Sequence, residues 1–238
     1  MTIESLLSRL EGSLLGHPSL RAAASEPMPP DVATRHGEWN GRPLCLRSRA
    51  LECNGTRVRL ARVTSDAALQ SLTGIVLPRR ERLGGILGFD VVAFGAKVTM
   101  FICDVTPKGL AAGSSSRSLR DAALALGEER LPEGAIEGTV PPFSTDATFL
   151  RPRADEEGRL VEVFEGYLGH FAEMASAKGD EVGAARAEDA YLQGLAALKR
   201  QARVLAKLFG SNWVERYFSF FFAPDVRAAG SPDRRSLP

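Results

Sequence analysis

The residue of this sequence best placed to do chemistry is an aspartate inside an apolar string. Asp90 lies in the segment 85–94, which reads GILGFDVVAF. If this segment is a strand, alternation of side chains puts four further residues on the face of Asp90, namely Ile86, Gly88, Val92 and Phe94. A carboxyl in such surroundings loses solvation, which raises its pKa toward neutrality and lets it deliver a proton at pH 7. The alternative is an exposed aspartate that caps a turn after Gly88.

Two basic segments have the chemistry to bind anionic groups. Segment 191–212 contains Lys199, Arg200, Arg203 and Lys207 and no acidic residue. Such a run holds anionic ligand groups or an acidic partner protein, and its alternative is a solvated helix face. The second segment, 149–153, reads FLRPR and combines an aromatic ring with two guanidinium groups that could clamp a carboxylate. Its alternative is a surface turn.

The motifs of several enzyme classes are missing from the sequence. No H-E-x-x-H, G-x-S-x-G, Walker A or G-x-G-x-x-G string occurs. The three histidines, His17, His36 and His170, do not stand at the spacing of a zinc site. The sequence therefore argues against a metalloenzyme, a triad hydrolase and a P-loop enzyme, and we predict no metal site.

Composition limits the class of protein further. The chain has 238 residues, of which 44% are hydrophobic, enough to bury a core, so disorder of the whole chain is excluded. Lys and Arg number 30 against 29 Asp and Glu, so a net charge of +1 provides no global attraction to nucleic acid or an anionic membrane. The three cysteines form no C-x-x-C pair, and no apolar segment reaches the length of a membrane span. We expect a cytoplasmic protein.

The segments that must position these residues change character along the chain. Leucines and one isoleucine at helical spacing predict an N-terminal helix before the prolines of segment 27–30. From about Pro43 to Pro107, short runs rich in Val, Leu, Ile and Phe alternate with turn residues and lack intervening helical segments. This pattern predicts an antiparallel meander rather than repeated βαβ units.

The second half of the chain is predicted to be mainly helical. Segments 116–130, 159–175 and 184–209 carry apolar residues at helical spacing. Gly210 stands where a helix C-cap belongs, and Asn212 suits the N-cap of a last short helix. We expect one domain over residues 1–224 and a disordered tail over 225–238.

Three ordered blocks of the sequence resemble the ferredoxin-dependent bilin reductase family. The first comprises Leu77-Pro78, the string 87–92 (LGFDVV) and the string 102–107 (ICDVTP). The second is Phe143-Ser144 followed by segment 149–152 (FLRP). The third, and the most specific, is segment 203–210 (RVLAKLFG) followed by 213–217 (WVERY).

The resemblance implies a fold and an activity. The implied fold is an α/β class, three-layer α/β/α sandwich, whose central antiparallel sheet and C-terminal helices enclose a linear tetrapyrrole. The implied reaction reduces biliverdin to a phytobilin such as phycocyanobilin. The family binds no metal or flavin: ferredoxin supplies single electrons and the protein supplies protons to a substrate radical. The resemblance also favours a monomer.

The resemblance assigns roles to particular residues. Asp90 falls on the family's catalytic aspartate, which hydrogen-bonds the pyrrole nitrogens and donates protons. Thr99, Arg151 and Arg200 fall near positions that contact the propionates in related enzymes, where guanidinium and hydroxyl donors suit carboxylates. The predicted substrate contacts are Thr73, Thr99, Phe149, Arg151, Arg200 and Val204.

The sequence departs from the family pattern at three places. Thr73 stands where the phycocyanobilin-forming members carry a histidine, and Arg59 stands near their strand glutamate. Leu198-Lys199 replaces an Asn-Asp pair, so a second acidic proton donor is missing. Two alternatives therefore stay open: a bilin-binding protein that has lost catalysis, and a reductase of another open-chain tetrapyrrole.

Two basic surfaces suit an acidic ferredoxin. One comprises Arg79, Arg80 and Arg82, and the other is the face of segment 199–207. The sequence does not distinguish between them.

Overall fold

A single antiparallel sheet separates two layers of helices. The computed structural model describes residues 1–20, 24–53, 55–65, 69–79, 83–108, 116–131, 142–174, 181–196 and 199–222, without the side chains of 196 and 199–201. Over these residues every pair of neighbouring strands is antiparallel. The predicted α/β sandwich with a central antiparallel sheet is confirmed.

The sheet of the described chain has nine strands. Their bounds are β1 Ala24–Ser25, β2 Thr34–Trp39, β3 Arg42–Cys53, β4 Thr56–Ser65, β5 Leu69–Pro78, β6 Gly84–Phe94, β7 Lys97–Lys108, β8 Gly127–Glu129 and β9 Thr148–Pro152. The spatial order is β1-β3-β4-β5-β6-β7-β9-β8, with β2 also paired to β3. Strands β3 to β7 follow one another in space as in sequence, which is the predicted meander, and β6 lies in its interior.

The helices are distributed over both faces of the sheet. Their bounds are α1 Ile3–Gly16, α2 Pro30–Ala33, α3 Arg117–Leu124, α4 Leu160–Met174, α5 Glu181–Ala196, α6 Lys199–Phe209 and α7 Ser211–Phe221. Helices α1, α3 and α4 cover one face, and α2, α5, α6 and α7 cover the other.

The first layer packs on the sheet mainly through apolar side chains. Helix α1 begins with Thr2 at its N-cap, whose hydroxyl accepts a hydrogen bond from the Ser5 N–H at 3.2 Å. Its predicted apolar residues are all buried, namely Ile3, Leu6, Leu7, Leu10 and Leu14. On α4, Phe164 packs edge-on against Phe89 of β6 with the ring centroids 4.9 Å apart. Each such buried side chain contributes about 1.5–3 kcal/mol to stability.

The second layer is dominated by aromatic side chains. Trp213 and Tyr217 of α7 stack at 4.7 Å between ring centroids, and Phe209 of α6 lies 5.2 Å from Trp213. The indole N–H of Trp213 donates to the Asp31 carbonyl at 2.6 Å, which joins α7 to α2. These rings form an aromatic core between the C-terminal helices and the sheet.

Segment 116–130 was expected to be one helix, and this expectation is wrong. Helix α3 ends at Leu124, and the chain continues into the short strand β8, which pairs with β9. Gly127 allows this pairing because a Cβ there would lie 2.2 Å from the Arg151 carbonyl oxygen. A long-range strand partner thus overrides the local helical pattern.

Two boundaries in the C-terminal half also differ from the prediction. Segment 184–209 is divided between α5, which ends at Ala196, and α6, which begins at Lys199. Asn212 is not an N-cap, because α7 begins at Ser211 with Gly210 in the N-cap position. Gly210 has φ of +92°, a conformation that favours glycine, and its N–H donates to the Ala206 carbonyl at 2.9 Å. This one residue therefore closes α6 and opens α7. Strand β2, which contains His36, was not predicted.

A buried ion cluster attaches α5 to the sheet. Glu188 of α5 is fully buried and accepts from Arg57 of β4 and Lys108 of β7, each at 2.5 Å. The Lys108 ammonium also donates to the carbonyl of Arg79 at 2.8 Å. Because these charges are desolvated, each depends on the others for compensation.

Glu188→Ala is expected to destabilise the protein by about 3–5 kcal/mol, because it leaves two buried cations without their shared carboxylate. Urea denaturation measures this loss. The control is Glu4→Ala, which removes a glutamate that is 64% exposed and pairs with Arg62 at 2.8 Å. Its loss should stay within about 1 kcal/mol. Equal losses in both variants would contradict the argument.

Candidate active site

Asp90 lies in the middle of β6 on the face covered by the second helical layer. Its neighbours on this face, Ile86 and Val92, pack against the aromatic core formed by α5, α6 and α7. Asp90 itself is only 8% exposed. The structure therefore agrees with the strand interpretation of segment 85–94 and not with an exposed turn cap.

Thr73 holds the carboxylate of Asp90. The two residues face each other across β5 and β6, and the Thr73 hydroxyl donates to Asp90 Oδ1 at 2.7 Å. A β-branched side chain has few rotamers in a strand, so this donor is fixed in place. Thr73 therefore orients the carboxyl group.

Helix α7 packs on the face of the sheet that carries Asp90. Burial raises the pKa of Tyr217, a contact with the Ser48 hydroxyl lowers it, and the nearby negative charge of Asp90 raises it further. Tyr217 is therefore a neutral phenol at physiological pH. Tyr217 belongs to the same buried cluster as Ile86 and Val92, the neighbours of Asp90 on β6.

Sequence reasoning did not select a second buried carboxyl, Asp104, as a site residue. Asp104 lies on β7 opposite Gly88 of β6, fully buried. The Ser144 hydroxyl donates to its Oδ1 at 2.5 Å, the Ser144 N–H donates to Oδ2 at 3.0 Å, and the Thr106 hydroxyl also donates to Oδ2. Burial raises the pKa of Asp104, while these hydrogen bonds lower it. Its alternation with Ile102 and Thr106 was the available sequence signal.

The Asp104 hydrogen bonds position an aromatic wall. They hold the residues around Ser144 against β7, and the adjacent Phe143 packs edge-on against Phe149 of β9, with centroids 5.4 Å apart. Phe143 also meets the Tyr191 ring of α5 edge-on at 6.3 Å. The wall therefore connects β9, α5 and the sheet beside Asp90.

The other predicted contact residues are distributed around this face. Phe149 is buried, whereas Arg151, two residues further along β9, is exposed. The Thr99 hydroxyl donates to the Val92 carbonyl at 3.2 Å, beside the β-bulge between β6 and β7. Val204 is 45% exposed on α6. The side chain of Arg200 lies outside the described residues, although its backbone belongs to α6.

The two predicted basic surfaces lie only partly within the described residues. Arg79 is exposed, and Arg80 and Arg82 lie outside the described residues. On α6, Arg203 and Lys207 are exposed on either side of Val204.

The described residues contain no group of three or more His, Cys, Asp or Glu side chains arranged to hold a metal ion. None of the helices in this part of the chain combines the length and the apolar character needed to cross a membrane.

The fold is that of a known enzyme structure. The crystal structure of phytochromobilin synthase from tomato, in complex with biliverdin, matches with a TM-score of 0.66 at 16% sequence identity. The match covers 92% of this chain and 82% of that chain. No curated protein sequence matches this chain. At this identity the likeness shows the fold, an antiparallel sheet between helical layers.

The family follows from the sequence itself. The family model of the ferredoxin-dependent bilin reductases matches residues 18–223, which is most of the chain. The protein belongs to this family, so the resemblance seen in its three sequence blocks is confirmed. It is a bilin oxidoreductase that receives electrons from ferredoxin.

Ser144→Ala is expected to cost about 1.5–3 kcal/mol of unfolding free energy at pH 8, the usual value for a hydrogen bond to a charged group. The Ser144 hydroxyl favours ionised Asp104, whose pKa in the folded state is raised by burial. The native carboxyl therefore takes up its proton at a higher pH than the unfolded one. As the pH falls through that folded pKa, the hydroxyl contributes less, and the loss in the variant should shrink.

Urea denaturation over a series of pH values from 8 downward measures this difference. Ser13→Ala is the control, because the Ser13 hydroxyl donates to the exposed Glu165 at 2.7 Å. Its effect should be small at every pH. A Ser144→Ala loss that stays constant over the whole pH range in which the protein is folded would count against the assigned hydrogen bond.

Proposed function

We propose that this enzyme reduces biliverdin to a phytobilin such as phycocyanobilin, with Asp90 as the proton donor. The observation that carries the proposal is the buried Asp90 carboxyl on an interior strand, beneath the second helical layer. The biliverdin complex of the tomato enzyme, which shares this fold, supports the choice of substrate. The bilin would lie between the sheet and helices α5, α6 and α7.

The proposed chemistry balances one electron with one proton at a time. Reduction of each carbon–carbon double bond takes two electrons, from two reduced ferredoxins, and two protons. Asp90 gives a proton to the bilin, which makes the bilin a better electron acceptor, and then regains a proton from solvent before the next step. Burial among apolar neighbours favours the neutral, proton-carrying form of a carboxyl.

Thr73 supports this chemistry without supplying a proton. A threonine hydroxyl does not ionise near neutral pH, so Thr73 is not a second proton donor. Its hydrogen bond to Asp90 Oδ1 fixes the orientation of the carboxyl group instead. The contact also links the predicted substrate residue to the catalytic one. We therefore assign Thr73 as the positioning residue of Asp90.

The propionates of the substrate require donors at the rim of the site. Arg151 is exposed and shares a face of β9 with the buried Phe149, so it can meet a carboxylate at the mouth of the pocket. Val204 and the backbone of Arg200 belong to α6, which packs on the same side of the sheet as Asp90. We assign Phe149 and Val204 to apolar contact with the tetrapyrrole, Arg151 and Arg200 to its propionates, and Thr99 to the rim at the β-bulge.

The described parts of the chain share one sheet, which supports a single domain over residues 1–224. Both helical layers pack on this sheet. The tail 225–238 lies outside the described residues.

Asp90→Asn is expected to bind biliverdin within a few-fold of the natural protein but to lower the rate of its reduction at least about 100-fold. Asparagine keeps the shape of the side chain and cannot supply the proton. The measurement is anaerobic absorbance spectroscopy of the bilin after addition of ferredoxin, its reductase and NADPH. If absorbance bands of a substrate radical are transient in the natural protein but persist in the variant, the defect lies at proton transfer.

Asp121→Asn is the matched control, because Asp121 is exposed on α3 in the first helical layer. It should reduce biliverdin at the natural rate. An Asp90→Asn protein with the natural rate would overturn the role of Asp90. A natural protein that reduces a different open-chain tetrapyrrole and leaves biliverdin unchanged would replace the substrate.

Ferredoxin is proposed to dock on the exposed face of α6. Arg203 and Lys207 stand one helical turn apart on this face, and α6 covers the same side of the sheet as Asp90. An acidic electron donor seated there would be on the substrate side of the molecule. Electrostatic steering of this kind weakens as ionic strength rises.

Combined Arg203→Glu and Lys207→Glu substitution is expected to lower the ferredoxin-driven rate at least about tenfold at low salt and to flatten its salt dependence. The control combines Arg9→Glu with Arg159→Glu, which changes the net charge equally at exposed positions near the first helical layer. Reduction driven by a small chemical reductant should be normal in both. If both double variants lose the same rate, docking on α6 is wrong.

A further inference from the structure

The hydroxyl of Tyr191 is a buried polar group for which the described protein offers no partner. Tyr191 of α5 is 2% exposed, and its hydroxyl has no hydrogen-bond partner among the described residues. Nearly all buried hydroxyls in folded proteins are satisfied, so an unsatisfied one requires an explanation. By comparison, the buried hydroxyl of Tyr167 in the first layer contacts the Thr148 hydroxyl at 2.7 Å.

The Tyr191 hydroxyl lies directly over the strand that carries Asp90. A Cβ added to Gly88 would stand 2.3 Å from the Tyr191 oxygen, so glycine at this position makes room for the hydroxyl. Gly88 and Asp90 are two residues apart on the same face of β6, a separation of about 6.6 Å along the strand. The Tyr191 hydroxyl and the Asp90 carboxyl therefore lie on the same face of β6 and border the same space.

The Tyr191 ring is held from two sides. Phe143 packs edge-on against it, and Phe143 is itself positioned by the hydrogen bonds between Ser144 and Asp104. Glu188 precedes Tyr191 by three residues on α5 and fixes the rotation of this helix through Arg57 and Lys108. A side chain held this firmly with its polar atom unsatisfied is typical of a preorganised binding group.

We propose that Tyr191 is a substrate-binding residue whose hydroxyl donates a hydrogen bond to a terminal lactam carbonyl of the bilin. This proposal rests on the proposed bilin site. The acceptors of a linear tetrapyrrole are its lactam carbonyls, its imine nitrogen and its propionates. Asp90 is assigned to the nitrogens, and the buried Asp104 close to Tyr191 disfavours a charged propionate there. Burial raises the pKa of Tyr191, with Asp104 raising it further, so the phenol stays protonated and acts as a donor.

The test is Tyr191→Phe, which removes one oxygen atom and leaves the ring in place. We expect the Kd for biliverdin, from absorbance titration without ferredoxin, to rise about two- to tenfold, the usual effect of one hydrogen bond. The infrared band of the bound lactam carbonyl should move to higher frequency, because the hydrogen bond that weakens the C=O bond is gone. Thermal stability of the ligand-free protein should stay equal or rise, because an unsatisfied polar group has been removed.

Tyr167→Phe is the matched control on the other face of the sheet. It removes the partner of the Thr148 hydroxyl, so it should lower thermal stability and leave the Kd and the carbonyl band unchanged. The two variants therefore separate loss of a ligand contact from loss of a structural hydrogen bond.

The outcomes also separate this inference from the proposed function. If natural protein binds and reduces biliverdin while Tyr191→Phe matches it in Kd and carbonyl frequency, the role of Tyr191 is overturned and the proposed function stands. The role is equally overturned if Tyr191→Phe destabilises the ligand-free protein as much as Tyr167→Phe does. If the natural protein does not bind biliverdin, the proposed function fails, and the role of Tyr191 fails with it.

Discussion

The pairing of β5 with β6 is the constraint on which the site depends. This register places Thr73 opposite Asp90, so the hydroxyl reaches the carboxylate at 2.7 Å. A shift of one residue would turn Asp90 toward the apolar cluster between the sheet and helices α1 and α4. The alternation of a single strand therefore decides whether the carboxyl belongs to a reaction site or disrupts a core.

The two faces of the sheet consequently have different roles in stability and in the site. The first layer is built of aliphatic and aromatic contacts, and it provides stability through burial. On the face of the second layer lie the buried Asp90, Asp104 and the cluster around Glu188. Buried ion clusters are weak sources of net stability but are strongly directional. Here the cluster fixes where α5, and with it Tyr191, sits over the sheet.

Much of this arrangement was predictable from the sequence, for identifiable physical reasons. The apolar periodicity of α1 and α4 and the turn residues between β3 and β7 are local signals, and the structure agrees with them. The burial of Asp90 followed from the alternation in its own strand. What local patterns lack is information on partners distant in the chain, so β8 was mistaken for helix and the boundary of α7 was misplaced.

The site was less predictable than the fold because its geometry depends on contacts between remote segments. Thr73 was selected through family resemblance, and its hydrogen bond to Asp90 became visible only once β5 and β6 were paired. Glu188 carries no sequence signal that separates it from a surface residue of an amphipathic helix, and the apolar patterns around Asp104 and Tyr191 indicate burial without indicating a site. Their importance comes from burial, and their partners lie 40, 80 and more than 100 residues away.

The outer strands of the described sheet limit the places where the sheets of two molecules could pair edge to edge. A net charge of +1 gives little mutual repulsion, so resistance to such pairing depends on the shape of these edges. The described edge strands β1 and β8 are only two and three residues long, and β8 ends in two glutamates. Strand β2 lies against the end of α6, where Arg35 donates to the Phe209 carbonyl at 3.1 Å. The long interior strands thus present little free edge to which a second molecule could add a strand, a common route to aggregation.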